Sequence, residues 1–139
     1  DFPKNIIGVK DSSYNLYENL KIPNFLIFPG SEAKLVKSLE LGCAGCISAV
    51  TNVTHSIARK VFDDFEKKSS QSMNTKLISV RETFDKYHLI SALHFFMSCS
   101  DKKYKNLLPP LVSLSDTEEK ELLTKLENLD FLPNKGMAA

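Results

Sequence analysis

Lys10 stands at the end of a short apolar run, a position from which its amine could act as a nucleophile. The run covers residues 6–10 and is typical of a buried strand. Side chains alternate along a strand, so Gly8 and Lys10 point to one face while Ile7 and Val9 point to the other. An amine on the inner face could attack a carbonyl and form a protonated imine, which withdraws electrons from the neighbouring carbon. The alternative is a solvated strand end, the usual environment of lysine.

A lysine can act as a nucleophile only where its surroundings lower the pKa of its amine. The reference pKa of lysine is about 10.4, so a reactive lysine needs an apolar or cationic environment that favours the neutral amine. Active sites of parallel barrels assemble at the carboxyl ends of the strands, where an apolar interior could supply that environment. Gly8 would leave space beneath Lys10. His55, His88 and His94 fall in segments with a helical pattern and lack partner motifs, so no general base is evident.

Two further stretches follow predicted strands and could bind part of a substrate. In "FPGSEA", residues 28–33, Gly30 permits close approach of the backbone. The amides of the helix that Ser31 would cap could then bind an anion such as a carboxylate. "GCISAVTN", residues 45–52, occupies the corresponding position after the third strand. Each stretch alone could be an ordinary strand-to-helix turn, but three strand ends converging on one rim favour a site.

The spacing of the apolar runs predicts parallel strands joined by helices. Strands are predicted at residues 6–10, 25–29 and 45–49, with room for one helix in each interval. Gly42 stands where the second of these helices would end. After the third strand the pattern stays helical. Thr54 could cap a helix that turns Asp64 outward.

The remainder of the chain predicts a helical region. The polar residues 67–72 form a break, after which apolar residues recur at helical spacing, and Ser115 with Glu118 forms a capping box before a last helix. The fold class is therefore α/β: three βα units in residues 1–69, followed by a C-terminal helical region in residues 70–139. Because parallel sheets are normally covered on both faces, the inner face must be covered by another chain or by the missing strands of a longer barrel.

Composition excludes several classes of partner. Lysine and arginine number 18 and aspartate and glutamate 17, a net charge of +1, so no overall field would hold nucleic acid or an anionic membrane. No apolar stretch approaches the roughly 20 residues of a membrane span, and the start lacks a signal-peptide pattern. We therefore expect a soluble, cytoplasmic protein with a small-molecule partner.

The cysteines and a lysine cluster each have an unremarkable interpretation. Cys43 and Cys46 form one CxxC pair with no second pair to complete a zinc site, so structural thiols are favoured over metal or redox chemistry. The cluster of Lys102, Lys103 and Lys105 is interpreted as a solvated surface, with an anion site as the alternative.

Taken together, the motifs resemble the dihydrodipicolinate synthase and N-acetylneuraminate lyase family of pyruvate lyases that form a Schiff base. The resemblance spans essentially the whole chain and rests on four ordered motifs: "IIGVKDSS" (6–13), "FPGSEA" (28–33), "LGCAGCISAVTNV" (41–53) and "LLPPLVSLS" (107–115). It implies a partial TIM barrel, a (β/α)8 fold represented here by its last three βα units, followed by the helical region.

The resemblance also implies roles for particular residues. Lys10 resembles the lysine that forms an imine with pyruvate or another 2-oxo acid. Gly30 resembles the residue beside the bound acid after strand seven, and Ile47 resembles the strand-eight residue that abuts the imine. Ser31 and Ser48 lie next to them in the same motifs and are included as candidates for substrate binding. No metal or organic cofactor is implied. The family also uses a tyrosine in its fifth strand and a Gly-Thr-Thr type loop after its second, and this sequence contains neither, so we expect little turnover from the isolated chain.

The subfamily and the partner remain open on these residues. Glu32 followed by Ala33 disfavours sialic acid lyases, and "KYHLISALHFF" (86–96) departs from the tail segment usual in dihydrodipicolinate synthases. A 2-keto-3-deoxy sugar acid aldolase or dehydratase therefore stays an alternative. A second alternative is a non-catalytic structural or assembly module. With an open sheet edge and an uncovered face, we expect the chain to form a homo-oligomer.

Overall fold

The chain forms two compact units whose boundary falls between Ile78 and Ser79. The computed structural model describes residues 4–13 and 15–133. The predicted regions 1–69 and 70–139 therefore begin or end in residues outside that description. No helix in the described ranges has the length and apolar character needed to cross a membrane.

A short parallel sheet forms the centre of the first unit. Strand β1 covers Gly8–Asp11 and strand β2 covers Leu26–Pro29, and Lys10 lies opposite Phe28 in the register. Between the strands lies helix α1, Leu16–Asn19. The parallel pairing and the intervening helix agree with the prediction from spacing, although both strands begin later than the apolar runs suggest.

The predicted third strand at residues 45–49 is not a regular strand, and the sheet of the described residues has two strands. The segment nevertheless runs beside β2. The amides of Ala44 and Ile47 donate to the carbonyls of Ile27 and Pro29 at 3.2 and 3.1 Å. Between these two hydrogen bonds the chain advances by three residues in this segment but by two in β2, so the segment contains one extra residue. Gly45, within it, adopts φ +146°. This extra residue interrupts the regular ladder while keeping the segment attached to β2.

Helix α2, Leu35–Glu40, follows a 3-10 turn at Glu32–Lys34 and packs against β2. Ser31 caps the turn as predicted, since its hydroxyl accepts from the amide of Ala33 at 3.3 Å. Gly42, at φ +88°, follows the end of α2 as predicted.

Helix α3, Thr51–Glu66, corrects two expectations. Thr54 is not the cap, because the helix begins three residues earlier, behind Val50. Asp64 is not turned outward: it is buried, and it accepts hydrogen bonds from Lys60 and Ser72. The core between α2 and α3 is apolar and contains Leu35, Leu39, Ala58, Val61 and Leu77.

The helical elements that follow agree with the periodicity. Helix α4 covers Asn74–Phe84, α5 covers Leu89–Ser98 and α6 covers Asp116–Glu127, with a 3-10 turn at Lys102–Lys105. Ser115 caps α6, and both hydrogen bonds of the predicted capping box with Glu118 are present. In the second unit Phe96 meets Phe84 edge to face at 5.7 Å and stacks on Phe131 at 5.3 Å.

Candidate active site

Backbone hydrogen bonds bring the predicted strand ends to one rim of the first unit. The amide of Gly30 donates to the carbonyl of Asp11 at 2.8 Å, immediately after Lys10. On the other side of β2, the amide of Ile47 donates to the carbonyl of Pro29 at 3.1 Å. Lys10, Gly30 and Ile47, which the sequence places up to 37 residues apart, therefore lie on adjacent segments at the carboxyl end of the sheet.

The side chain of Lys10 belongs to the sheet face opposite the helices. Its register partner is Phe28, and Leu26 on the same face is 42% exposed. Ile27 and Pro29, which alternate with them, are buried. Lys10 itself is exposed in this chain. The alternation predicted from the sequence thus assigns Lys10 to the uncovered face, where a barrel interior would be.

Gly8 permits the close approach of the two strands below Lys10. A Cβ at this position would lie 2.7 Å from the carbonyl oxygen of Leu26, so any side chain would push the strands apart. The position therefore requires glycine for strand spacing. It also leaves the face next to Lys10 without a side chain.

Asp11 anchors the turn after Lys10, a role that the sequence analysis did not identify. Its carboxylate is fully buried and accepts hydrogen bonds from the amide and hydroxyl of Ser13 and from the amide of Tyr17. Burial alone would raise the pKa of Asp11, but these hydrogen bonds outweigh it, and the pKa lies below its ordinary value. In the sequence, the aspartate followed by two serines indicates this arrangement, because an Asp carboxylate commonly accepts a hydrogen bond from the amide two residues ahead.

A second buried carboxylate, Glu32, connects the turn after β2 to residues 48–54. The Glu32 side chain is fully buried and accepts hydrogen bonds from the hydroxyls of Ser48 at 2.5 Å and Thr54 at 3.1 Å. The hydroxyl of Thr54 also contacts the Val50 carbonyl at 3.1 Å. Glu32 thereby ties the Gly30 turn to the start of α3. The sequence analysis missed this cluster because its members are 16 and 22 residues apart.

The four residues predicted to bind substrate differ in their surroundings. Gly30 is half-buried at the rim, and Ser31 is buried with its hydroxyl used in the cap. Ile47 is 47% exposed, whereas Ser48 is buried with its hydroxyl on Glu32. Their backbones share the rim with Lys10, while both hydroxyls already have partners within the chain.

The cysteines near the rim have little thiolate character. Burial, reinforced by the charge of Glu32, raises the pKa of Cys46 to about 11, and burial raises that of Cys43 as well. Within the described ranges, no three His, Cys, Asp or Glu side chains converge in a group that could hold a metal ion.

Comparison with known sequences gives a family match along most of the chain. The sequence model of the dihydrodipicolinate synthetase family matches residues 3–129. An uncharacterized DapA-like lyase of Chloroflexus aurantiacus is 30% identical over 129 residues, which covers 88% of this chain and 43% of that protein. The chain therefore spans less than half the length of this curated relative.

Solved structures of the same family share the fold. YagE from E. coli K12, a prophage protein of the dihydrodipicolinic acid synthase family solved in complex with pyruvate, superposes with a TM-score of 0.73 at 20% identity, over 92% of this chain and 47% of that one. A variant of the 2-keto-3-deoxygluconate aldolase of Sulfolobus solfataricus superposes with a TM-score of 0.77 at 20% identity, over 89% and 45%. These neighbours are TIM-barrel proteins, of which the chain is a partial α/β counterpart.

Proposed function

We propose that this chain, which belongs to the dihydrodipicolinate synthetase family, is the C-terminal part of a lyase in which Lys10 forms a Schiff base with pyruvate. In this proposal the three segments are the last three βα units of a (β/α)8 barrel. Gly30, Ser31, Ile47 and Ser48 shape the site around the bound acid. The reaction is an aldol-type condensation or its reverse, a cleavage.

The observation that carries the proposal is the shared rim. The two backbone hydrogen bonds from Gly30 to Asp11 and from Ile47 to Pro29 bring these strand ends beside Lys10, whose side chain belongs to the uncovered face of the sheet. The exposed Lys10 amine has free access for a carbonyl compound. The pyruvate bound to YagE supports a 2-oxo acid as the substrate class.

The chemistry uses Lys10 as an electron sink. The Lys10 nitrogen bonds to the ketone carbon, and the carbonyl oxygen leaves as water, which gives a protonated imine. The positive nitrogen then acidifies the adjacent carbon, and loss of its proton gives an enamine that adds to an aldehyde. Cleavage is the same sequence in reverse. The buried carboxylates of Asp11 and Glu32 hold the turns on either side of Lys10, so their role is to position the rim.

Reductive trapping tests the nucleophile. A longer protein that contains this sequence, in which a complete barrel would enclose Lys10, is incubated with pyruvate and cyanoborohydride, and the adduct is located by peptide mass spectrometry. We expect labelling of Lys10 to exceed that of Lys4 and Lys21, which are exposed lysines of the same unit away from the rim. A Lys10→Gln variant should lose the preferred adduct. Equal labelling of all three lysines would overturn the assignment.

The second substrate distinguishes two activities within this class of lyase. The similarity to a 2-keto-3-deoxygluconate aldolase keeps a sugar-acid aldehyde as the alternative to aspartate semialdehyde. A panel of aldehydes offered together with pyruvate to a longer protein that contains this sequence would separate the two, because the imine step is common and only the enamine acceptor differs.

A second candidate function is an assembly module that pairs with a copy of itself. The observation in its favour is the apolar face of the sheet, where Leu26 is 42% and Ile47 47% exposed. Light scattering of the chain and of a Leu26→Ser/Ile47→Ser variant tests this candidate. Association that is lost in the variant supports it, and a wild-type chain that stays monomeric contradicts it.

A further inference from the structure

A cavity in the second unit has no part in the proposed reaction. Its volume is about 390 Å³, and it lies between α5, the 3-10 turn at Lys102–Lys105 and the start of α6. Small-molecule sites generally occupy roughly 300–1,000 Å³. The cavity is therefore large enough for a small ligand, and its lining side chains indicate the kind.

Two lysines face this cavity because of their spacing in the 3-10 turn. Residues three apart eclipse each other in a 3-10 helix, and Lys102 and Lys105 both line the cavity. Lys103, between them, does not line it. Its ammonium pairs with Asp101 at 2.8 Å and lies over the ring of Tyr104. Asp101 also caps the turn through the amide of Lys103, which fixes this arrangement.

The charge of the two cavity lysines is not neutralised within the described part of the chain. There, neither Lys102 nor Lys105 forms an ion pair, in contrast to Lys103. One carboxylate, that of Glu119, also lines the cavity, so the lining keeps an excess of positive charge. Unpaired ammonium groups that converge on a concave surface attract and hydrogen-bond oxyanions.

His94, in the same wall, helps to hold the lysine-bearing turn in place. Its Nδ1 lies 2.8 Å from the carbonyl oxygen of Tyr104, and because a carbonyl only accepts, Nδ1 is the donor. This bond attaches the imidazole to the lysine-bearing turn, and since Nε2 of the neutral ring can only accept, His94 positions the turn and the two lysines supply the donors to an anion. Three serines, Ser91, Ser98 and Ser113, also belong to the lining.

We propose that this cavity is a binding site for a small oxyanion, the phosphate or carboxylate group of a metabolite, held by Lys102 and Lys105. The site shares no residue with the rim around Lys10 and does not depend on the proposed lyase reaction. The lysine cluster, which the sequence left open between a solvated surface and an anion site, thus divides into one paired lysine and two that face the cavity.

A titration with inorganic phosphate, and in a second arm with citrate, tests the site on the full 139-residue chain. Amide shifts of residues 91–119 are followed by NMR at constant ionic strength. We expect saturation with a Kd on the order of 1 mM for the stronger of the two anions. Stronger binding of citrate would indicate a polycarboxylate, and stronger binding of phosphate a phosphate ester. The absence of saturation with both anions would overturn the proposal.

A matched pair of variants separates the cavity from general charge. Lys102→Gln/Lys105→Gln should weaken binding at least ten-fold, because each lost charge-assisted hydrogen bond costs about that factor. Lys103→Gln, in the same turn, should change it by less than about three-fold through the screened field. Lys102→Arg/Lys105→Arg should retain binding, which excludes misfolding as the cause. Equal losses in the Lys103 and cavity variants would overturn the site.

Cys99 provides a local readout, because this residue is accessible to solvent, while its thiol is partly buried where the residue lines the same cavity. Alkylation by iodoacetamide is measured at mildly alkaline pH, since burial and the nearby Glu119 raise the pKa of this thiol. The bound anion should slow alkylation of Cys99 in the wild-type chain but not in the Lys102→Gln/Lys105→Gln variant. An unchanged rate at a saturating anion concentration would contradict the location.

Discussion

The two units of the chain differ in where their apolar residues are exposed: in the first unit on the open face of the sheet, and in the second mainly in the loop before α6, at Leu108 and Val112. In the second unit Phe84, Leu122 and Leu126 are completely buried, and the aromatic rings of Phe84 and Phe96 meet edge to face. In the first unit the sheet buries Ile27 towards the helices but leaves Leu26 and Ile47 almost half exposed. Both units therefore bury an apolar core among their helices, and the first unit in addition leaves one face of its sheet uncovered.

The difference follows from how helices and strands satisfy their backbones. A helix makes its hydrogen bonds within itself and needs only one apolar stripe covered. A parallel strand needs neighbours on both sides and cover on both faces, which one short segment of chain cannot supply. The unit that carries the candidate active site is therefore the one that needs more structure around it.

The largest effect should come from the closed core. Phe84→Ala removes a completely buried ring and should lower the free energy of unfolding of the second unit by about 3–5 kcal/mol. Hydrogen exchange of the α5 and α6 amides measures it. Leu108→Ala is the control, because Leu108 is 81% exposed and its truncation should cost less than about 0.5 kcal/mol. Similar costs for both substitutions would contradict the comparison.

In the open unit, the buried polar cluster should matter more than the exposed apolar face. Glu32→Ala removes the acceptor of the Ser48 and Thr54 hydroxyls and should destabilise the first unit by about 2 kcal/mol. Faster hydrogen exchange at residues 44–54 would report it. Glu40→Ala, the same change at an exposed position of α2, should have little effect. If Glu40→Ala is equally costly, the cluster does not hold the rim.

Acid should weaken the turn after Lys10. The folded-state pKa of Asp11 is lowered from its ordinary 3.8, so its carboxylate stabilises the fold fully above that value. This stabilisation is lost as the pH falls through the lower folded pKa. Asp11→Asn should flatten the pH dependence of unfolding in this range. An unchanged difference between pH values above and below this range would show that Asp11 does not contribute.

The smallest effect should come from a helix end. Ser115→Ala breaks the capping box with Glu118 and should cost about 1 kcal/mol in the second unit. Thr117→Ala, at an exposed position of the first turn, serves as the control and should be nearly neutral. Thermal unfolding of the two variants gives the comparison. Equal midpoints would mean that the cap contributes no stability to the chain.

Local patterns were sufficient for much of the fold and part of the site. The cap at Ser115, the turn at Gly42 and the alternation that assigns Lys10 to the uncovered face all depend on residues within a few positions of one another. Such features follow from backbone geometry and short-range hydrogen bonds.

Expectations that depended on distant partners were wrong or missing. Thr54 satisfies the criteria for a cap, but its hydroxyl contacts Glu32, which is 22 residues away. The sequence pattern predicts that Asp64 is exposed to solvent, yet in the fold Lys60 and Ser72 donate hydrogen bonds to it. The prediction of a regular third strand was wrong because the segment around Gly45 contains one residue more than the part of β2 that it pairs with. Only the pairing of the two segments reveals this extra residue.

The amino-acid sequence by itself determined the order of the elements, the face that carries Lys10 and the family to which the chain belongs. Only the tertiary structure decided which polar groups are buried together, because a carboxylate becomes a structural acceptor when folding brings hydroxyls to it and removes water. It also decided which lysines of the cluster face a cavity. That distinction depends on the pairing of Lys103 with Asp101 and on the walls supplied by α5 and α6.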